Sequence, residues 1–161
     1  MNIDFILNGE DVVVRTNAER RLSDILRTMF KLLGAKTGCY TGQCGACSVL
    51  LNGVVVKSCL IPIFKIKDCE IITIEGFAQT EDYQDIISGF EEAGVENCGF
   101  CNTGKILAAE TLLSRNTRPS REEILAAFQG IKCRCTEPES LVRGIMASTV
   151  QRRRRLHGRS G

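Results

Sequence analysis

The chain has 161 residues, enough for one ordinary domain or two small ones. Hydrophobic residues make up 43%, which supports a packed core and excludes an intrinsically disordered chain. With 21 basic against 19 acidic residues, 6% aromatics and no Trp, neither a polyanionic partner nor a base-stacking surface is implied.

Taken in chain order, Ile3 to Leu7, Asn8-Gly9 and Val12 to Arg15 form a hairpin pattern, because Asn-Gly suits a type I′ turn. Leu22, Ile25, Leu26 and Met29 recur at helical spacing. A second hairpin runs from Ser48 to Leu51, through Asn52-Gly53, to Val54 to Lys57, and another strand is expected at Glu70 to Ile74. Beyond Gly76 the pattern turns helical. Ile86, Ile87 and Phe90 mark one helix closed by Gly94, and Ile106, Leu107, Ala109, Glu110 and Leu113 mark a second. Ser120 and Glu123 are spaced as a capping box for a third, with Ile124, Leu125 and Phe128 on its apolar face. Leu141, Val142, Ile145, Met146 and Val150 mark a fourth, with Pro138 in its first turn, where a missing N–H costs nothing. The fold class is α+β: a small sheet with one helix over residues 1–76, then a four-helix bundle over 77–151. A basic tail follows over 152–161.

No apolar run approaches the roughly 20 residues that span a bilayer, and the N-terminus lacks the pattern of a signal peptide. The expected location is the cytoplasm, where nine cysteines point to metal or redox chemistry rather than disulfides.

Cys39, Cys44, Cys47 and Cys59 have the spacing C-x4-C-x2-C followed by a distant Cys, which is that of plant-type [2Fe–2S] loops. Such a loop turns backbone N–H groups toward the sulfurs, and Gly38, Gly42 and Gly45 tolerate the dihedrals this requires. Structural zinc prefers short symmetric pairs and fits poorly. The second hairpin would return Cys59 to the loop. Cys98, Cys101, Cys133 and Cys135 form a second set, on two loops at one end of the bundle. Its C-x-C pair is unusual for zinc but leaves both metals open; the first set beside it favours a second cluster. Arg134, between two of these ligands, is either a solvated side chain or a neutralising charge. Cys69 has no partner motif and is expected to be a structural thiol.

Together and in this order, the two motifs resemble the small iron–sulfur subunit of the molybdenum hydroxylases, the xanthine dehydrogenase and aldehyde oxidoreductase group. The resemblance rests on Lys36-Thr37-Gly38-Cys39, Gly42-Gln43-Cys44-Gly45-Ala46-Cys47-Ser48-Val49, Ser58-Cys59-Leu60, Thr73-Ile74-Glu75-Gly76, Cys98-Gly99-Phe100-Cys101 and Cys133-Arg134-Cys135-Thr136. It implies a β-grasp ferredoxin-like domain followed by a four-helix bundle, with one [2Fe–2S] cluster in each. It also implies partner subunits carrying molybdopterin and FAD, with single electrons relayed between them and substrate chemistry left to molybdenum. The sequence departs from the family at Asn97, at Asn102-Thr103, at Ile131-Lys132 and at Glu137-Pro138, on the bundle edge that faces the pterin in relatives. An altered pterin contact is therefore expected.

Arg152 to Arg155, His157 and Arg159 make up the basic end. The expected reading is a solvated helix end and frayed tail, with docking to an acidic partner or nucleic acid as the functional alternative. His157 is too far from either cysteine set in sequence to be a ligand. The competing function is a free-standing two-cluster carrier or sensor. Two clusters on separate domains suit a relay better than a switch.

Overall fold

Two Asn-Gly pairs set the registers of the sheet. The computed structural model describes residues 1–34, 47–95, 102–129 and 137–159, with backbone alone at 102, 158 and 159. Asn8 and Gly9 have φ of 50° and 85°, and Asn52 and Gly53 repeat those values, the positive pair that a type I′ turn requires. The first turn joins β1 (Asn2–Leu7) to β2 (Glu10–Arg15), with Ile3 opposite Val14 and Phe5 opposite Val12. The second joins β3 (Ser48–Leu51) to β4 (Val54–Lys57), with Ser48 opposite Lys57. With β5 (Glu70–Ile72) these make a five-stranded sheet of order β2-β1-β5-β3-β4, in which β1 and β5 run parallel and the other pairs antiparallel.

Strand alternation turns Ile3, Phe5 and Leu7 inward, onto Leu22, Ile25 and Leu26 of helix α1 (Leu22–Thr28). Val49, Ile63, Ile66 and Ile71 complete this core, and the ring of Phe30 meets Phe5 edge-on at 6.3 Å. The result is the expected ferredoxin-like sheet with one helix laid across it.

The strand expected through Ile74 stops at Ile72. The Asn8 side chain ends it: its Oδ1 accepts from the Thr73 N–H at 2.9 Å, and its Nδ2 donates to the Thr73 hydroxyl at 3.0 Å. Held there, Thr73 leads into a single helical turn, α2 (Ile74–Phe77), in place of a longer strand.

The helical half comprises α3 (Glu81–Glu92), α4 (Asn102–Arg115), α5 (Arg121–Ala127) and α6 (Pro138–Arg159). Ser120 and Glu123 form the reciprocal capping box at the start of α5. Helices α3 and α6 approach closely at Gly89, where an added Cβ would fall 2.3 Å from the backbone nitrogen of Ser148. The Ser148 hydroxyl donates to Gly144 O at 2.8 Å and to Ile86 O across the interface at 3.2 Å. Leu50 of β3 joins Phe90, Ile106, Leu107, Ile124 and Ile145 in a second apolar core, so the outer face of the sheet is covered by the helices.

The basic end differs from the expected frayed tail. Helix α6 continues to Arg159, and Arg152 is 9% exposed. Arg152 pairs with Glu110 at 2.7 Å, and Arg155 with Asp85 at 2.8 Å, Asp82 at 2.6 Å and Glu81 at 3.0 Å. These carboxylates lie on α3 and α4, so two of the four consecutive arginines lock the end of α6 onto the bundle.

Candidate iron–sulfur centres and their junction

Cys47 and Cys59 are the cysteines of the first set that lie within the described residues, and the structure brings them to the same end of one hairpin. Cys47 immediately precedes β3, while Cys59 lies in a 3₁₀ turn, Ser58–Leu60, immediately after β4. Because Ser48 faces Lys57, the next step down the ladder sets Cys47 opposite Ser58. The Ser58 N–H donates to Cys47 O at 3.2 Å and the Ser58 hydroxyl donates to the same oxygen at 2.6 Å. The two cysteines are 1% and 2% exposed. Shielded sulfurs on a rigid hairpin, with one ligand's carbonyl already satisfied, fit a cluster bound by thiolates and screened from water. Ser58 entered the sequence reading only as a member of the Ser58-Cys59-Leu60 motif, with no role of its own; its position beside Cys59 in the hairpin ladder is the signal for this one.

Cys39, Cys44, Cys98, Cys101, Cys133 and Cys135 lie outside the described residues, as do Asn97, Ile131, Lys132 and Arg134. Among the described residues no three metal-ligating side chains converge. Cys69 is half-buried against the sheet core, and its thiol is 3.6 Å from Lys67 O and 3.9 Å from Lys65 O, in keeping with a structural role. His157, on the last turns of α6, is exposed.

The segments flanking the two cysteine sets meet at Gly34, five residues before Cys39. Its N–H donates to Glu75 Oε2 at 3.0 Å, and its carbonyl accepts from the Thr103 hydroxyl at 3.3 Å. Glu75 belongs to α2, between the two halves, and Thr103 follows Cys101 by two residues. An added Cβ at Gly34 would fall 2.3 Å from Ile74 Cγ2, so the contact admits no side chain. Farther along α4, the Thr111 hydroxyl donates to Leu107 O and accepts the N–H of Val55 at 2.9 Å. That bond satisfies an outward-facing amide of the edge strand β4, a group that would otherwise be unpaired. Helix α4 is thus the shared wall of the two halves. At the edge expected to face a pterin, Thr103 is 8% exposed and turned to Gly34, whereas Glu137 and Pro138 are exposed.

At the far end of α4, burial pushes the Glu110 carboxyl above its ordinary value of 4.5, and the nearby Arg152 only partly offsets this. Among the described residues no helix is long and apolar enough to cross a membrane.

Comparison with known proteins agrees with this architecture. Residues 5–66 match the 2Fe-2S iron-sulfur cluster binding domain, and residues 73–146 match the [2Fe-2S] binding domain. The nicotinate dehydrogenase small FeS subunit of Eubacterium barkeri is 41% identical, over 84% of this chain and 87% of that protein. The aldehyde oxidoreductase of Megalodesulfovibrio gigas is also 41% identical, over 87% of this chain, which spans only 16% of that longer protein. The crystal structure of quinoline 2-oxidoreductase from Pseudomonas putida 86 superposes with a TM-score of 0.83 at 33% identity, covering 95% of this chain and 96% of the matched one. The fold and these matches define an electron-transfer protein with two [2Fe–2S]-binding domains. The chain belongs to the small iron–sulfur subunits of the molybdenum hydroxylase family, the xanthine dehydrogenase and aldehyde oxidoreductase group.

Proposed function

We propose that this chain relays single electrons between a molybdopterin-binding subunit and an FAD-binding subunit. One [2Fe–2S] cluster would be held by Cys39, Cys44, Cys47 and Cys59, the other by Cys98, Cys101, Cys133 and Cys135. Each cluster supplies one-electron redox chemistry when bound. The chain's own residues supply the rest. The β3–β4 hairpin fixes Cys47 and Cys59 and buries their sulfurs. Glu75 and Thr103 hold Gly34, and with it the entry to the first cysteine loop, against the helix that follows Cys101. This junction is the observation that carries the relay reading, because it ties the residue ahead of the first cysteine segment to the helix that follows the second, which a switch would have reason to keep apart.

We place the division into domains near residue 76, ahead of α3 and just inside the start of the segment matched at 73–146. The second domain extends to Arg159, since Arg152 and Arg155 are part of its packing. Substrate chemistry belongs to the partner that carries molybdenum, and a reducing cytoplasm suits eight cysteines kept as thiolate ligands.

The test is purification of the native complex through a tag placed after Gly161. Co-elution of a flavin-containing subunit and a molybdenum-containing subunit is the expected result. Migration of the holoprotein alone, as a stable monomer, would support the free-standing carrier instead.

A further inference from the structure

Four consecutive arginines on a helix cannot all face the same way. At about 100° per residue, the first and fourth fall on one side and the middle two on the other. Helix α6 follows this rule. Arg152 and Arg155 are occupied by the carboxylates of α3 and α4. Arg153 and Arg154 are left on the outer side, where they share an open cleft of about 390 Å³ with Arg118, from the connection between α4 and α5. Val150 and His157 complete its lining.

Among the described residues, no carboxylate pairs with Arg118, Arg153 or Arg154. The Nε of Arg153 is buried and has no acceptor. Guanidiniums gathered without a counter-charge repel one another, and a buried N–H left unpaired is costly. Both walls of the cleft are nevertheless fixed. The Arg118 N–H donates to Asn116 Oδ1 at 2.9 Å, and Asn116 Nδ2 donates to Glu123 Oε2 at 2.7 Å, in the capping box of α5. Arg152 and Arg155 hold α6 from its other side. The arginines of the cleft therefore stand on backbone that need not reorganise when an anion arrives.

The same face of α6 is apolar one and two turns earlier, where Val150 and Met146 are 37% and 46% exposed. A small oxoanion would use the arginines and leave this stretch uncovered. A nucleic acid backbone likewise offers phosphate and sugar, with no apolar group to cover it. A peptide with carboxylates close to apolar side chains satisfies both parts, since guanidinium binds carboxylate in a two-pronged fork.

We propose that the cleft between Arg118 and the outer face of α6 docks an acidic segment of a partner protein. Its carboxylates would meet Arg118, Arg153 and Arg154, and an apolar side chain would cover Val150 and Met146. The inference stands apart from the relay reading, since neither cluster nor its ligands enter it. It divides the basic run into two arginines that hold the helix and two that face a partner.

The experiment follows the fluorescence anisotropy of labelled synthetic peptides titrated with the whole holoprotein at low salt. One peptide repeats Glu-Glu-Leu, and the other repeats Glu-Glu-Ser with the same number of glutamates. The leucine peptide should bind, and the serine peptide should bind several-fold more weakly. Arg118→Glu and Arg154→Glu should each weaken the leucine peptide by about tenfold or more. The same reversal at Arg15, on β2 of the sheet, should leave it unchanged. Met146→Ser should bring the two peptides closer in affinity. Arg118 and Arg154 are exposed, so these variants should keep the fold, as circular dichroism checks; Arg118→Gln and Arg154→Gln replace any that do not. No saturable binding by wild-type protein would overturn the proposal, as would equal affinity for the two peptides. So would binding that survives both reversals, or that falls equally with Arg15→Glu. Inorganic phosphate or a short DNA duplex that displaces the labelled peptide at a lower concentration than unlabelled peptide does would assign the cleft to a phosphate ligand and overturn it too.

Discussion

The two halves of this molecule are closed in different ways. The ferredoxin-like half is held by local turns and an apolar core, and its two hairpin-turn asparagines also make polar ties to β5 and its end. Asn8 reaches Thr73, and Asn52 Oδ1 accepts from the Glu70 N–H at 2.8 Å, so each hairpin turn also fixes an end of β5. Among the described residues, the helical half relies more on contacts between distant segments. Its longest helix is secured by near-contact of backbones at Gly89 and Ser148, and by ion pairs of Arg152 and Arg155 with α3 and α4. A half closed by local turns tolerates the loss of one tie. A half closed by distant contacts loses an entire packing surface when one fails.

The comparison can be broken most forcefully at Gly89. Valine there would drive side-chain atoms into the backbone of α6, and overpacking of this kind costs about 3 kcal/mol or more. Thermal unfolding followed by far-ultraviolet circular dichroism should show a helical-half transition displaced well below that of wild type.

Next in size is Arg152→Met, which leaves Glu110 and Asp85 buried at 13% and 8% side-chain exposure without this partner. Breaking a largely buried pair on one side costs about 3 kcal/mol, somewhat less here because Arg155 still neutralises Asp85. The effect should depend on pH. Glu110 has a raised carboxyl pKa, so between its ordinary value of 4.5 and its higher folded value the native state binds more protons than the unfolded one. Stability from this group is therefore present below pH 4.5 and lost as pH rises through the folded value. Arg152→Met removes the two contributions that lower this pKa, so its stability should fall over a wider range above 4.5, and Glu110→Gln should flatten the dependence. Denaturant midpoints across that range provide the check.

Thr111→Val sharpens the comparison at the shared wall. It leaves the Val55 N–H of β4 unpaired, at a cost of about 1 to 2 kcal/mol, and should separate the unfolding of the two halves. Hydrogen exchange at Val55 should accelerate while β1 amides remain protected.

The smallest effect is expected at Asn8→Gly. Glycine keeps the positive φ but loses both bonds to Thr73, so about 1 kcal/mol is expected, confined to the ferredoxin-like half.

What could be read from the sequence follows the same division. The hairpins, α1 and the capping box at Ser120 were legible because their signals lie within a few residues of one another. The return of Cys59 to the end of the hairpin that carries Cys47 was legible because a two-residue turn fixes which residues oppose each other. The end of β5 was not, since Asn8 acts on Thr73 across 65 positions. Nor was the fate of the basic run. Arg152 to Arg155 look solvated until α3 and α4 bring four carboxylates beside them, and only the fold does that. For the ligand sets, sequence spacing remains the informative signal at the six cysteines outside the described residues.

The central claim is two one-electron centres, one in each half. The most direct measurement is iron and acid-labile sulfide per chain, combined with electron paramagnetic resonance during stepwise anaerobic reduction. The account predicts two irons and two sulfides for each of the two matched domains, and two distinct one-electron signals. A single signal, or zinc in place of iron at the second cysteine set, would contradict it.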